Sequence, residues 1–202
     1  MASASSSRAT EASSKIQLTP DDWIHVAAEI LVDKSVEAVR VEVLAKNLGV
    51  TRGSFYWHFK DRDDLLRRLL ISWRDTATEQ IIDRFEKRNI KPRDLLRDLL
   101  ALPFHGEAAQ TAAATELAIR GWARRDEMAR QFVDEVDGKR LSYIAQCFSA
   151  LGFDVAEARM RAFALYSYEL AESMLSNQGT QKQKDERRAF MEHILLQDTQ
   201  DI

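Results

Sequence analysis

Between Arg40 and Arg62 the sequence gathers side chains of one chemical kind. Thr51, Arg52 and Ser54 supply hydroxyls and a guanidinium. Tyr56, Trp57 and His58 supply a phenol, ring N–H groups and flat faces, and Lys60, Arg62 and Arg40 add cations. These groups suit phosphate oxygens, which position a protein on a duplex, and base edges, which specify sequence. Gly53, in their midst, leaves room for a sugar-phosphate backbone to come close. The chain as a whole has a net charge of -3. From residue 46 to residue 62, however, Lys46, Arg52, Lys60 and Arg62 face Asp61 alone. Phosphate contacts depend on where charges sit rather than on their total, so the local balance is the relevant one.

Bond-making chemistry finds little support. The histidines, His25, His58, His105 and His193, are scattered with no i, i+4 pairing and no cysteine partner, so no metal set is expected. Arg52-Gly53-Ser54-Phe55 lacks the flanking glycines of a nucleophile elbow, and no glycine-rich phosphate loop occurs. No catalytic residue, cofactor or enzymatic activity is expected. The competing reading is an all-helical small-molecule-binding protein or enzyme in which residues 41–59 form a merely structural helical hairpin.

The elements that must position these groups are helices. Seven Gly and three Pro in 202 residues, with no alternating apolar stretch, predict an all-α fold. Thr19-Pro20-Asp21-Asp22 opens a helix running to about Asp33, with Thr19 as N-cap and two acids complementing the dipole. A short helix over Val41–Leu48 stops at Gly49, which can adopt the positive φ a tight turn needs. A third covers Thr51 to about Trp57. Ala45 permits close approach of the two short helices, and Val41, Leu44, Leu48, Val50, Phe55 and Phe59 lock them to the first helix. The segment thus reads as a helix-turn-helix whose second helix faces outward. Asp61 then caps a long helix whose stripe, from Leu66 to Phe85, predicts a rod of roughly 35–40 Å. Further helices are predicted at 92–102, 106–124, 127–151, 154–176 and 183–196.

The segment resembles the TetR (tetracycline-repressor-like) family. The pattern is carried by Ala45, Gly49, Val50, Thr51, Gly53, Tyr56, His58, Phe59, Arg62, Leu65 and Leu66. It covers about 45 residues, from the first helix to the start of the fourth. The resemblance implies a homodimeric regulator, usually a repressor, with two DNA heads on a near-palindromic operator and an effector-binding body. Thr51, Arg52 and Ser54 would reach bases or phosphates, and Tyr56 and His58 the phosphate backbone. Arg62 stands where the family usually has Lys and would hold a phosphate with the helix N-terminus. Arg40 stands where the family often has a capping Thr or Ser, so it would act as a charge. Trp57 would stack on the backbone or pack on the fourth helix.

The organisation predicted is a disordered Ser/Ala-rich tail at 1–17, a DNA-binding head at 18–62 and a helical effector-binding and dimerisation body at 63–202. Helix 154–176 is apolar on more than one face, and with 183–196 it would form a dimer seam. Phe104, Glu116, Trp122, Tyr143, Cys147 and Tyr166 are the candidate lining of a pocket for a small-molecule effector. Glu116 and Arg120, four residues apart, would otherwise form a surface ion pair. Cys147 is expected to be a buried, inert thiol. The single cysteine and the absence of an apolar run long enough for a membrane predict a cytoplasmic protein with no membrane partner.

Overall fold

The structure, a computed structural model, describes residues 18–102, 106–175 and 178–197, apart from the side chains of 106–108. The expected tail at 1–17 and the candidate Phe104 lie outside these residues. Among the described residues ten α-helices follow one another: α1 (Pro20–Asp33), α2 (Val41–Asn47), α3 (Arg52–Phe55), α4 (Arg62–Arg74), α5 (Gln80–Arg88), α6 (Pro92–Ala101), α7 (Gly106–Ala123), α8 (Glu127–Ser149), α9 (Val155–Met174) and α10 (Gln181–Leu196). A 3₁₀ turn at Val36–Ala38 links α1 to α2, and among the described residues there is no strand.

Local signals explain the helix starts. Thr19 and Asp22 close a capping box on α1: the Asp22 N–H donates to Thr19 Oγ1, and the Thr19 N–H donates to Asp22 Oδ2 at 2.7 Å. Asp61, Asp126 and Asp154 each accept a backbone N–H three residues on, at 2.9 Å, at the starts of α4, α8 and α9. Gly49 turns the chain between α2 and α3 at φ 66°, where a side chain would strain the backbone.

One expectation is corrected. The third helix is shorter than the predicted 51–57, because the chain tightens after Phe55. The Trp57 and His58 N–H groups bond three residues back, to Ser54 and Phe55, as a 3₁₀-type end does. Thr51 occupies the N-cap position without a side-chain bond. The predicted long helix runs on to Arg88, with a π-helical turn, Asp75–Glu79, between α4 and α5. Thr76 Oγ1 donates back to the Ser72 carbonyl at 2.6 Å, and Arg140 of α8 donates to the Ala77 carbonyl at 3.0 Å. Back-bonding hydroxyls and an inserted side chain are known causes of such bulges.

Packing divides into two apolar clusters. The first holds Trp23, Ala27, Leu44, Phe55, Phe59, Leu65, Leu69 and Leu70, and continues into the body through Ile119, Trp122, Ala129, Val133 and Val136. Trp23 and Phe59 sandwich Phe55, with ring centroids 5.4 and 5.1 Å away. The second joins Phe85, Leu96, Leu100, Ile144, Phe148, Ala162 and Leu165. The head therefore shares its core with α7 and α8, so a shift of those helices is felt in the head.

Candidate nucleic-acid interface and cavity

The short helix α3 carries its apolar and polar groups on opposite sides. Phe55 is fully buried and Phe59 nearly so, while Tyr56 is 55% and Trp57 87% exposed. Thr51, Arg52 and Gly53 are exposed, and Ser54 and His58 are half-buried. Trp57 is therefore not packed on α4. An aromatic side chain can bury ~150–250 Å², so leaving an indole in water leaves roughly 4 kcal/mol of burial free energy unrealised. A monomer gains nothing from this exposure.

The cations around this surface are held differently from one another. Arg52 pairs with Glu42 of α2 at 3.1 Å, both exposed, which orients the guanidinium without sealing it. Arg40 and Lys60 are exposed. Arg62 is not presented in the same way. Its Nε donates to the Val39 carbonyl and its Nη2 to the Val36 carbonyl, both at 2.5 Å, so the guanidinium ties the 3₁₀ turn to the start of α4.

A partly open cavity of about 1300 Å³ lies between the helices. Its walls come from both halves of the molecule: Ile24 and Ala28 of α1, Leu69 and Trp73 of α4, Phe85 of α5, Leu99 of α6, and Tyr143 and Leu170 of α8 and α9. Of the predicted lining, Glu116, Tyr143 and Tyr166 stand on it. Trp122 does not: it is buried in the head-side cluster, where α7 meets the head. Cys147 does not either: it is buried among Ile144 and Phe148, and burial pushes its thiol up to about 11, which keeps it protonated and inert.

One wall carries a polar cluster that the sequence shows only in part. Glu116 and Arg120 are not a surface pair. Arg120 donates to Glu116 Oε1 at 2.9 Å and to both Asp137 oxygens, at 2.5 and 3.0 Å. Arg140 donates to both Glu116 oxygens at 3.0 Å, to Thr78 Oγ1 at 3.1 Å and to the Ala77 carbonyl. The Tyr166 hydroxyl donates to Asp137 Oδ1 at 2.6 Å and accepts from both arginines. Burial alone would raise Asp137, but the bonds from Arg120 and Tyr166 outweigh it and hold its carboxyl below the usual range. Burial raises the Tyr166 phenol. Asp137, Arg140 and Glu169 had no sequence signal of their own, although the three-residue spacings Asp137/Arg140 and Tyr166/Glu169 put each pair on one helix face.

A three-helix head that shows aromatic and cationic side chains outward, mounted on a helical body around a cavity, defines a helix-turn-helix protein with a ligand-sized pocket. Comparison with known proteins agrees. Residues 24–69 match the family model described as "Bacterial regulatory proteins, tetR family". The HTH-type transcriptional regulator AcrR of Shigella flexneri is 31% identical over 84 residues, which are 42% of this chain and 39% of AcrR. A transcriptional regulator from Saccharomonospora viridis, solved in complex with choline, superposes with a TM-score of 0.70 at 18% identity. The match covers 87% of this chain and 94% of that one. FadR of Bacillus subtilis, solved with stearoyl-CoA, gives 0.63 at 20% identity over 88% and 98%. These likenesses establish a shared fold over most of the chain. The head, residues 24–69, is therefore similar to the DNA-binding region of the tetR family of bacterial regulatory proteins.

Proposed function

We propose that this chain is a sequence-specific DNA-binding transcription regulator, an effector-responsive repressor that sits as a dimer on a near-palindromic operator. The observation that carries the reading is the outward pair Tyr56 and Trp57, exposed beside Thr51 and Arg52 while Phe55 and Phe59 anchor the same segment inside. Thr51, Arg52 and Ser54 would meet bases or phosphates, and Tyr56, Trp57, His58, Lys60 and Arg40 the backbone. Two heads would enter successive major grooves ~34–36 Å apart. Dimer formation is supported by the water-facing Met160, Phe163, Phe190 and Ile194 of α9 and α10, apolar rows at helical spacing with nothing over them among the described residues.

The cavity is the effector site in this reading, in keeping with the small molecules held by two proteins of the same fold. Its walls include α1 and α4, so an occupant touches the head directly. Arg140 adds a second link, from the polar wall to the π turn below α4. An effector acts through these links only by preferring one head spacing to the other, and the operator disfavours the effector by the same factor.

The test uses duplexes that the purified protein itself selects from a random-sequence pool. Tyr56→Ala should weaken binding at least tenfold, and Arg52→Ala should reduce the slope of log affinity against log salt by about one. Circular dichroism should be unchanged. Full affinity in both variants would overturn the interface.

A further inference from the structure

We propose that the cavity selects organic cations carrying an apolar chain, with the Glu169 carboxyl as their counter-charge. The inference rests on the cavity being the effector site, as argued above, and names the chemistry of what enters it.

Glu169 lines the cavity one helical step beyond Tyr166. Its carboxyl makes no hydrogen bond or ion pair with any described residue, and its Oε1 is cut off from solvent. A buried polar group without a partner is costly unless something answers it. Its neighbours cannot, because they are already matched. Arg120 and Arg140 face Glu116 and Asp137, two guanidiniums against two carboxylates, with Tyr166 filling the remaining bonds. An anion arriving at this wall would meet carboxyl groups and no unspent cation, and would have to break the bonds of Arg140. A cation finds a carboxyl that no described residue pairs. Trp73, Phe85, Tyr143 and Tyr166 also line the cavity, and aromatic rings are the apolar surface that best tolerates a positive charge. Leu69, Ile81, Leu99 and Leu170 offer the rest of the lining to an alkyl chain.

Burial raises the Glu169 carboxyl to about 8, with Arg140 of α8 working against the shift and Glu116 of α7 adding to it. The other titratable or charged groups around the cavity are Asp21 and His25 of α1, Arg84 and Arg88 of α5, Asp98 of α6, and the phenols Tyr143 and Tyr166. Arg88 is paired with Asp98 at 2.7 Å, and Arg84 is exposed on α5, where water screens it. A permanent cation therefore displaces a proton from Glu169 on binding. Its affinity should rise with pH, by up to about fiftyfold between pH 6 and pH 8, and then level off.

The experiment is calorimetric titration of the full-length protein, without DNA, with decyltrimethylammonium, decanoate and 1-decanol, which share one chain and differ in the head. The expected result at pH 8 is that the cation binds at least tenfold more tightly than either of the others, with the pH profile just given. Glu169→Gln should cost the cation at least tenfold at pH 8 and flatten its profile. The variant's melting curve should show that it remains folded. Tighter binding of decanoate, equal binding of decanol at pH 8, or a cation affinity indifferent to pH and to Glu169→Gln would each overturn the proposal. Since no operator is involved, loss of the DNA-binding reading and loss of this one would be separate results.

Discussion

Arg140 is the side chain whose removal should be felt farthest. In Arg140→Met the guanidinium is replaced by a side chain that fills much of the same space but donates nothing. Five donor contacts disappear: two to Glu116 at 3.0 Å, one each to Thr78, the Ala77 carbonyl and Tyr166. The Arg140 side chain is 17% and the Glu116 side chain 14% exposed, so neither end recovers full hydration. Breaking a buried ion pair by removing one partner costs about 3–5 kcal/mol. Arg120 still faces Glu116, which puts the expected loss near about 3 kcal/mol. For a chain of this length that corresponds to a fall in melting temperature of roughly 6–12 °C. Scanning calorimetry at fixed protomer concentration should show it. Glu116→Gln and the double variant complete a cycle. Because the two groups touch, the double variant should cost less than the sum of the singles, by about 0.5–3 kcal/mol. Strict additivity, or a fall below about 2 °C for Arg140→Met, would refute the clip between the polar wall and the π turn.

Two further outcomes follow from the same geometry. Glu169 holds its proton in the folded chain up to about pH 8 but loses it near 4.5 when unfolded, so this group's contribution to stability falls as pH rises through that window. Relative to wild type, Glu169→Gln should therefore gain about 2 kcal/mol between pH 6 and pH 8, measured by urea unfolding; parallel stability curves would contradict the buried carboxyl. On the outer face, Phe163→Glu and Phe190→Glu should each weaken the proposed self-association by about 2 kcal/mol, roughly thirtyfold, in sedimentation velocity; unchanged association would remove α9 and α10 from the proposed dimer seam.

The head was legible because its signals are local. Thr19 and Asp61 cap helices through bonds to residues three positions away, Gly49 turns the chain by its own backbone freedom, and Phe55 and Phe59 share a side because they are one helical turn apart. Side-chain type and spacing settle such features before the rest of the chain arrives. The reach of α3 was less legible, since where a short helix tightens depends on what its aromatic anchors pack against. Arg62 shows the same limit: its charge was visible, but not the two carbonyls that take it up.

Sequence alone determined the all-helical fold, the helix boundaries to within a few residues and the outward chemistry of residues 51–58. Only the tertiary structure decided the cavity, the π turn in the long helix and the fate of each polar residue in the body. Trp122 and Cys147, candidates for the pocket lining, are core, as the inert-thiol expectation for Cys147 required, whereas Arg140 and Glu169, which carried no signal of their own, face the pocket. The reason is distance along the chain. Glu116, Arg140 and Glu169 lie on three helices, and no local pattern records which faces those helices turn toward one another. Packing alone brings them to one wall, matching four of its charges and leaving one carboxyl unanswered.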